Sequence, residues 1–134
     1  MPNIMENLPK VLVYDDNHMV RHTFAMFAKE SQMANVIEVS NGENIKRKCL
    51  ESVFDVIIIG IDDWASFQQL IKDIREGKTK NDKATPIITM VSSISSSQLH
   101  TLKSYDITEI IIKPSRIKNI QEAFLRSIQS TFIA

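Results

Sequence analysis

The sequence predicts an α/β fold, a doubly wound sheet of five parallel strands with helices on both faces, and three observations lead there. Short apolar runs rich in β-branched residues alternate five times with stretches whose apolar residues recur at helical spacing. The runs are apolar on both sides, as strands covered by helices on each face of a sheet must be. Each intervening stretch is long enough for the right-handed crossover that joins parallel neighbours.

Lys10 to Tyr14 (KVLVY) is the first strand, and it stops at Asp15 and Asp16. From Asn17 the period changes: Val20, Phe24, Phe27 and Ala28 fall at i, i+4, i+7 and i+8, an inward helix face ending near Ser31. Asn35 to Val39 is the second strand, Ser40, Asn41 and Gly42 form a turn, and Ile45, Cys49 and Leu50 mark a short helix reaching about Glu51. Residues 55–61 (DVIIIGI) form the strongest strand. Phe67, Leu70, Ile71 and Ile74 then define a helix that Gly77 ends. Residues 78–85 are a polar loop, and residues 86–91 (PIITMV) are a fourth strand opened by its proline. The serines at 92–97 make a loop and a helix cap, and Leu99 and Leu102 continue that helix. Glu109 to Ile112 is the fifth strand, broken by Lys113 and Pro114, and Ile117, Ile120, Phe124 and Ile128 define a closing helix. The 134 residues therefore read as one domain spanning 1–134 with its core at about 10–130, and no output domain is expected.

Composition narrows the function. Sixteen basic and sixteen acidic side chains cancel, so no global field recruits nucleic acid or a membrane surface. A single cysteine, Cys49, forms neither an internal disulfide nor a cysteine metal cluster, which suits a reducing compartment. The start MPNIMENLP lacks a basic and apolar leader, and no run approaches the roughly 18 apolar residues of a membrane span. A cytoplasmic protein is expected.

In open α/β sheets ligands gather at the carboxyl ends of the strands, near the switch in strand order. Four places qualify: Asp15 and Asp16 after the first strand, residues 60–63 after the third, Ser92 after the fourth and Lys113 after the fifth. No glycine-rich loop follows the first strand, which argues against a nucleotide or flavin binder.

The pieces VLVYDDN, SNGEN, FDVIIIG, TPIITMVS and IIIKP, in this order and strand context, resemble the receiver domains of bacterial two-component response regulators. The resemblance covers about residues 10–128 and implies the flavodoxin-like strand order 2-1-3-4-5. It further implies that the acidic pair and an aspartate closing the third strand hold Mg²⁺, and that this aspartate accepts a phosphoryl group from a phosphohistidine. A hydroxyl like that of Ser92 and an ammonium like that of Lys113 would bind the phosphoryl oxygens. A cis Lys113–Pro114 bond is also implied. The sequence departs at the decisive atom, because the acceptor position falls on Gly60. It departs again at Ile110, where many receivers carry Tyr or Phe.

Two readings follow. One is a non-canonical receiver acting as a phosphorylation-independent protein-interaction module in phosphorelay signalling, not an enzyme, with no required cofactor and weak Mg²⁺ binding at most through Asp15 and Asp16. The other is a phosphoryl-accepting receiver that uses Asp62 or Asp63 with Mg²⁺. Residues 60 and 62 project to the same side of an extended strand, roughly 6.6 Å apart, so Asp62 reaches the pocket only if its loop folds back. Plain structural roles stay open for each residue: Asp15 and Asp16 starting a helix, Ser92 as a turn hydroxyl, Gly60 allowing close backbone approach, Asp62 and Asp63 as solvated loop carboxylates. Without an acceptor carboxylate, the Lys113 ammonium is expected to turn toward Asp15 or Asp16.

The partner is expected to be a protein: a histidine kinase, a phosphotransfer protein or an output protein. His18, His22 and Met26 at i, i+4 and i+8, with Met19 beside them, form an outward stripe on the first helix that suits docking. A rival surface is His100, Lys103 and Tyr105, where the family often contacts its output.

Overall fold

The computed structural model describes residues 8–61, 63–113 and 116–132. Five strands alternate with five helices: β1 (Lys10–Tyr14), α1 (His18–Glu30), β2 (Asn35–Val39), α2 (Gly42–Glu51), β3 (Val56–Gly60), α3 (Trp64–Arg75), β4 (Ile87–Val91), α4 (Ser96–Ser104), β5 (Glu109–Ile112) and α5 (Ile117–Phe132). All strand pairings are parallel and the order is β2-β1-β3-β4-β5. This is the expected doubly wound sheet.

The alternation of side chains along each strand divides the core in two. Val11, Val13, Val56, Ile58, Ile88 and Met90 pack against Phe24 and Ala28 of α1 and against Ile120, Ala123 and Phe124 of α5. On the other face Leu12, Ile57, Ile59 and Ile87 pack against α2, α3 and α4 through Ile45, Cys49, Phe67, Ile71, Ile74 and Leu102. β3 and β4 are buried along their whole length, which explains why their sequences are apolar but for Thr89.

Helix starts follow local chemistry. The side chain of Asn17 accepts from Met19 N at 2.9 Å and Val20 N at 3.3 Å, and Asn41 accepts from Asn44 N. Ser95 and Gln98 form a reciprocal capping box at α4. Gly77, at φ +76°, takes the left-handed turn that closes α3.

One inward assignment is corrected, and one apolar marker of a helix proves to lie outside the core. Phe27 is 36% exposed, because the buried stripe of α1 centres on Phe24 and Ala28 and leaves position 27 at its rim beside Met19 and Met26. Leu50 is exposed on α2, where Ile45 and Cys49 alone face the core.

Long-range polar contacts hold the loops. The Arg75 guanidinium donates to the carbonyls of Tyr105, Lys83, Thr85 and Asp106, tying α3 to the two loops around it. Burial pushes its pKa down from the usual arginine value, against the opposing charges of Asp106 and Asp82. The buried Asn81 side chain accepts from Phe54 N and donates to the carbonyls of Cys49 and Ser52, so the polar loop 78–85 is stapled to the end of α2. Among the described residues, no helix is long and apolar enough to cross a membrane.

Candidate functional site

Register sets the site. Tyr14 pairs with Ile59 and Gly60 with Met90, so Asp15, one step past β1, lies level with Gly60 at the end of β3. Val91 pairs with Ile112, and Lys113 N donates to Val91 O at 2.7 Å, which brings Lys113 to the same carboxyl edge.

There the sheet buries Asp15 completely. One carboxylate oxygen, Oδ1, accepts from Asn17 N at 2.8 Å. The other, Oδ2, lies 2.6 Å from Lys113 Nζ in an ion pair. Lys113 remains 20% exposed. A Cβ built on Gly60 would collide with Oδ2 and lie 2.8 Å from Cγ of Asp15. The Asp15 carboxylate thus fills the room that a side chain at residue 60 would need, and glycine is what lets it in.

Asp15 and Lys113 meet, as the lysine's expected turn required. Asp16, the next residue, is exposed to solvent, so only one carboxylate of the acidic pair is buried at this edge. Ser92 is exposed just beyond the buried Val91, and it shares a cavity of about 390 Å³ with Asn17 and Lys113. Ile110 is half-buried and packs on the α2–α3–α4 side. Asp63 caps α3, accepting from Ala65 N at 3.1 Å and from the Ser66 hydroxyl at 2.8 Å. The Ser66 hydroxyl, then the backbone N–H groups and Lys46, hold its carboxyl below the usual range. Asp62 and the Lys113–Pro114 bond lie outside the described residues.

A Mg²⁺ ion does not fit the described residues. It needs near-octahedral oxygen ligands, whereas here one carboxylate is spent on an ammonium, Asp16 is exposed to solvent and the third position is a glycine. No group of three His, Cys, Asp or Glu among the described residues is placed to hold a metal ion.

On α1 the four residues of the expected stripe, His18, Met19, His22 and Met26, are all exposed. His18 and His22 stack with ring centroids 5.0 Å apart, and His22 Nδ1 donates toward Glu38 Oε2 at 3.4 Å on the edge strand β2. Met19 is 71% exposed, and Met26 lines a shallow cavity together with His22 and Glu38. His100 and Lys103 are exposed on α4, and Tyr105 is half-buried.

Arg21 was not marked by sequence reasoning. Its guanidinium donates to Asp15 O at 2.8 Å, to Glu38 Oε1 at 3.2 Å and to His18 Nδ1 at 3.1 Å, so it binds the end of β1 to β2 and α1. A guanidinium only donates, so His18 Nδ1 is the acceptor and carries no proton in this arrangement. Its one available signal was a cation four residues after the Asn17 cap, one turn from the acidic pair.

Solved structures with this architecture are numerous. The chain is similar to the chemotaxis response regulator CheY4 of Vibrio cholerae, with TM-score 0.77 and 21% identity over 90% of this chain and 99% of that one. It is similar to the signal receiver domain of a histidine kinase from Clostridium thermocellum, with TM-score 0.76 and 20% identity over 90% and 98%. A response regulator from Thermotoga maritima gives TM-score 0.76 and 19% identity over 91% and 98%. The chain has the receiver fold. No protein-family model and no curated protein matches its sequence.

Proposed function

We propose that this chain is a non-canonical receiver that works as a cytoplasmic protein-interaction module in two-component signalling without being phosphorylated. The observation that carries this reading is the Asp15 carboxylate standing in the space of a residue-60 side chain and paired with Lys113. An acyl phosphate needs a carboxylate nucleophile in reach of the donor, and the phosphoryl group needs free cationic partners. Here the position is a glycine, the buried carboxylate has no solvent exposure, and the ammonium is neutralised. The module therefore has one pocket arrangement to show its partner, with no metal required and no catalytic step of its own.

The structural relatives sit in a histidine kinase, a modulated diguanylate cyclase and a DNA-binding response regulator, so the fold serves varied outputs. A histidine kinase, a phosphotransfer protein or an output protein is the partner class that this supports. The stripe of His18, Met19, His22 and Met26 on α1 is the docking face we favour over His100, Lys103 and Tyr105, because Met19 and Met26 expose adaptable apolar surface.

The alternative acceptor is Asp62. Asp63 is already committed to the α3 cap. Intact-mass analysis after incubation with a small phosphodonor and Mg²⁺ tests the proposal: the mass is expected to stay unchanged. A gain of one phosphoryl group that disappears in Asp62→Asn would overturn it in favour of a displaced acceptor.

A further inference from the structure

Where the strand order reverses between β1 and β3, the first turns of α2 and α3 diverge and leave a cleft of about 210 Å³. Gly60 lines its floor, so the cleft adjoins the Asp15–Lys113 pair without including either side chain. Tyr14, Ile45, Phe67 and Leu70 wall it, and Lys46 and Asp63 stand at its rim. Carboxyl-edge crevices at such reversals are where open α/β sheets bind ligands.

Size limits the occupant. An apolar cavity of about 150 Å³ takes a benzene ring, while drug-sized ligands need about 300–1,000 Å³. A single ring with one small substituent fits between these bounds. Aromatic and branched apolar walls favour a flat, apolar body. The rim then selects the substituent. Asp63 is fixed by its cap bonds and Lys46 is near enough to act on its carboxylate, so the rim presents one anion and one cation. A charged substituent would meet one like charge there, whereas a neutral group with both a donor and an acceptor can satisfy both.

We propose that this cleft binds a neutral single-ring aromatic compound carrying a donor–acceptor substituent such as a carboxamide. The ring lies between Tyr14 and Phe67, and the carboxamide oxygen accepts from Lys46 while its N–H donates to Asp63.

Trp64, the single tryptophan, sits 5.8 Å from the Phe67 ring and reports on the cleft. Benzamide, benzoate and benzylammonium are titrated against the intact protein while Trp64 fluorescence is followed. Benzamide is expected to give a saturable change with Kd on the order of 1 mM, ordinary for so few atoms, and both charged analogues are expected to bind more weakly. Gly42 lines the mouth, and a Cβ there meets nothing within 4 Å, so Gly42→Leu adds bulk without a clash. That variant is expected to keep its melting temperature and to bind benzamide about tenfold more weakly, while Lys46→Met, on the surface, weakens it about threefold. The proposal is overturned if benzamide gives no saturable change, if Gly42→Leu binds it as well as the native chain does, or if a charged analogue binds as tightly.

Discussion

Asp15 and Lys113 are unequal partners, since the carboxylate is wholly buried and the ammonium is partly in water. Truncating the lysine leaves a buried charge with nothing to neutralise it, so Lys113→Ala is expected to cost about 3 kcal/mol. Removing both charges, as Asp15→Asn with Lys113→Met, should recover most of that loss. Urea melts of the three proteins decide it, and an unchanged midpoint for Lys113→Ala would mean that the pair contributes nothing. Thr89 presents the opposite case. It is fully buried on β4 opposite Ile59 and Ile110, and its hydroxyl has no hydrogen-bond partner among the described residues. Valine has nearly the same shape without the desolvated hydroxyl, so Thr89→Val should stabilise the protein by about 1 kcal/mol. For a chain of this length that is a rise of roughly 3–5 °C in Tm by calorimetry. A fall would show that Oγ1 has a partner after all.

At the scale of elements, the start of α3 carries a pH dependence. The carboxyl of Asp63 is held below its ordinary value of 3.8 in the fold, chiefly by the Ser66 hydroxyl. A group depressed in this way stabilises fully above its unfolded pKa, and the contribution disappears as pH falls through the folded value. Acid should therefore fray the first turn of α3 at pH below about 4, and the adjoining Trp64 should report it. Asp63→Asn caps without titrating, so its fluorescence should stay flat across that range, and identical acid transitions in the two proteins would dismiss the cap. The elements themselves were legible because apolar runs and helical spacing are local signals, as was a helix cap within the serine tract, which proves to be Ser95, whereas the sequence marks the caps at Asn17 and Asn41 only as a change of period and a turn. Phe27 was misplaced because a period of 3.6 fixes the width of a stripe less well than its centre. The roles of Arg75 and Asn81 were illegible for another reason: their partners lie up to 31 and 32 residues away, and nothing local announces such contacts.

For the whole molecule, the carboxyl edge was legible as a set of positions and not as an arrangement. Sequence order predicted that Asp15, Gly60 and Lys113 would converge, but the burial of Asp15 beside an exposed Asp16 depends on the register of three strands at once. That sheet joins the two core clusters, since every residue of β3 is buried between them. Cys49 gives a probe of whether they unfold together. Its side chain has no exposed surface, and burial pushes its thiol up to about 12, so the reactive thiolate is scarce at neutral pH. Its carbonyl is also held by Asn81 Nδ2 at 3.0 Å and Lys80 N at 3.1 Å, so α2 cannot lift away without breaking the loop staple. Alkylation should then require global opening, with a free energy of protection equal to that from urea unfolding. Asn81→Ala loses the staple and strands Phe54 N, which should lower both free energies together by about 1–3 kcal/mol. Labelling of the native protein well ahead of its global unfolding would instead show that α2 opens by itself, and that the α2–α3–α4 layer is a separate, weaker unit of the fold.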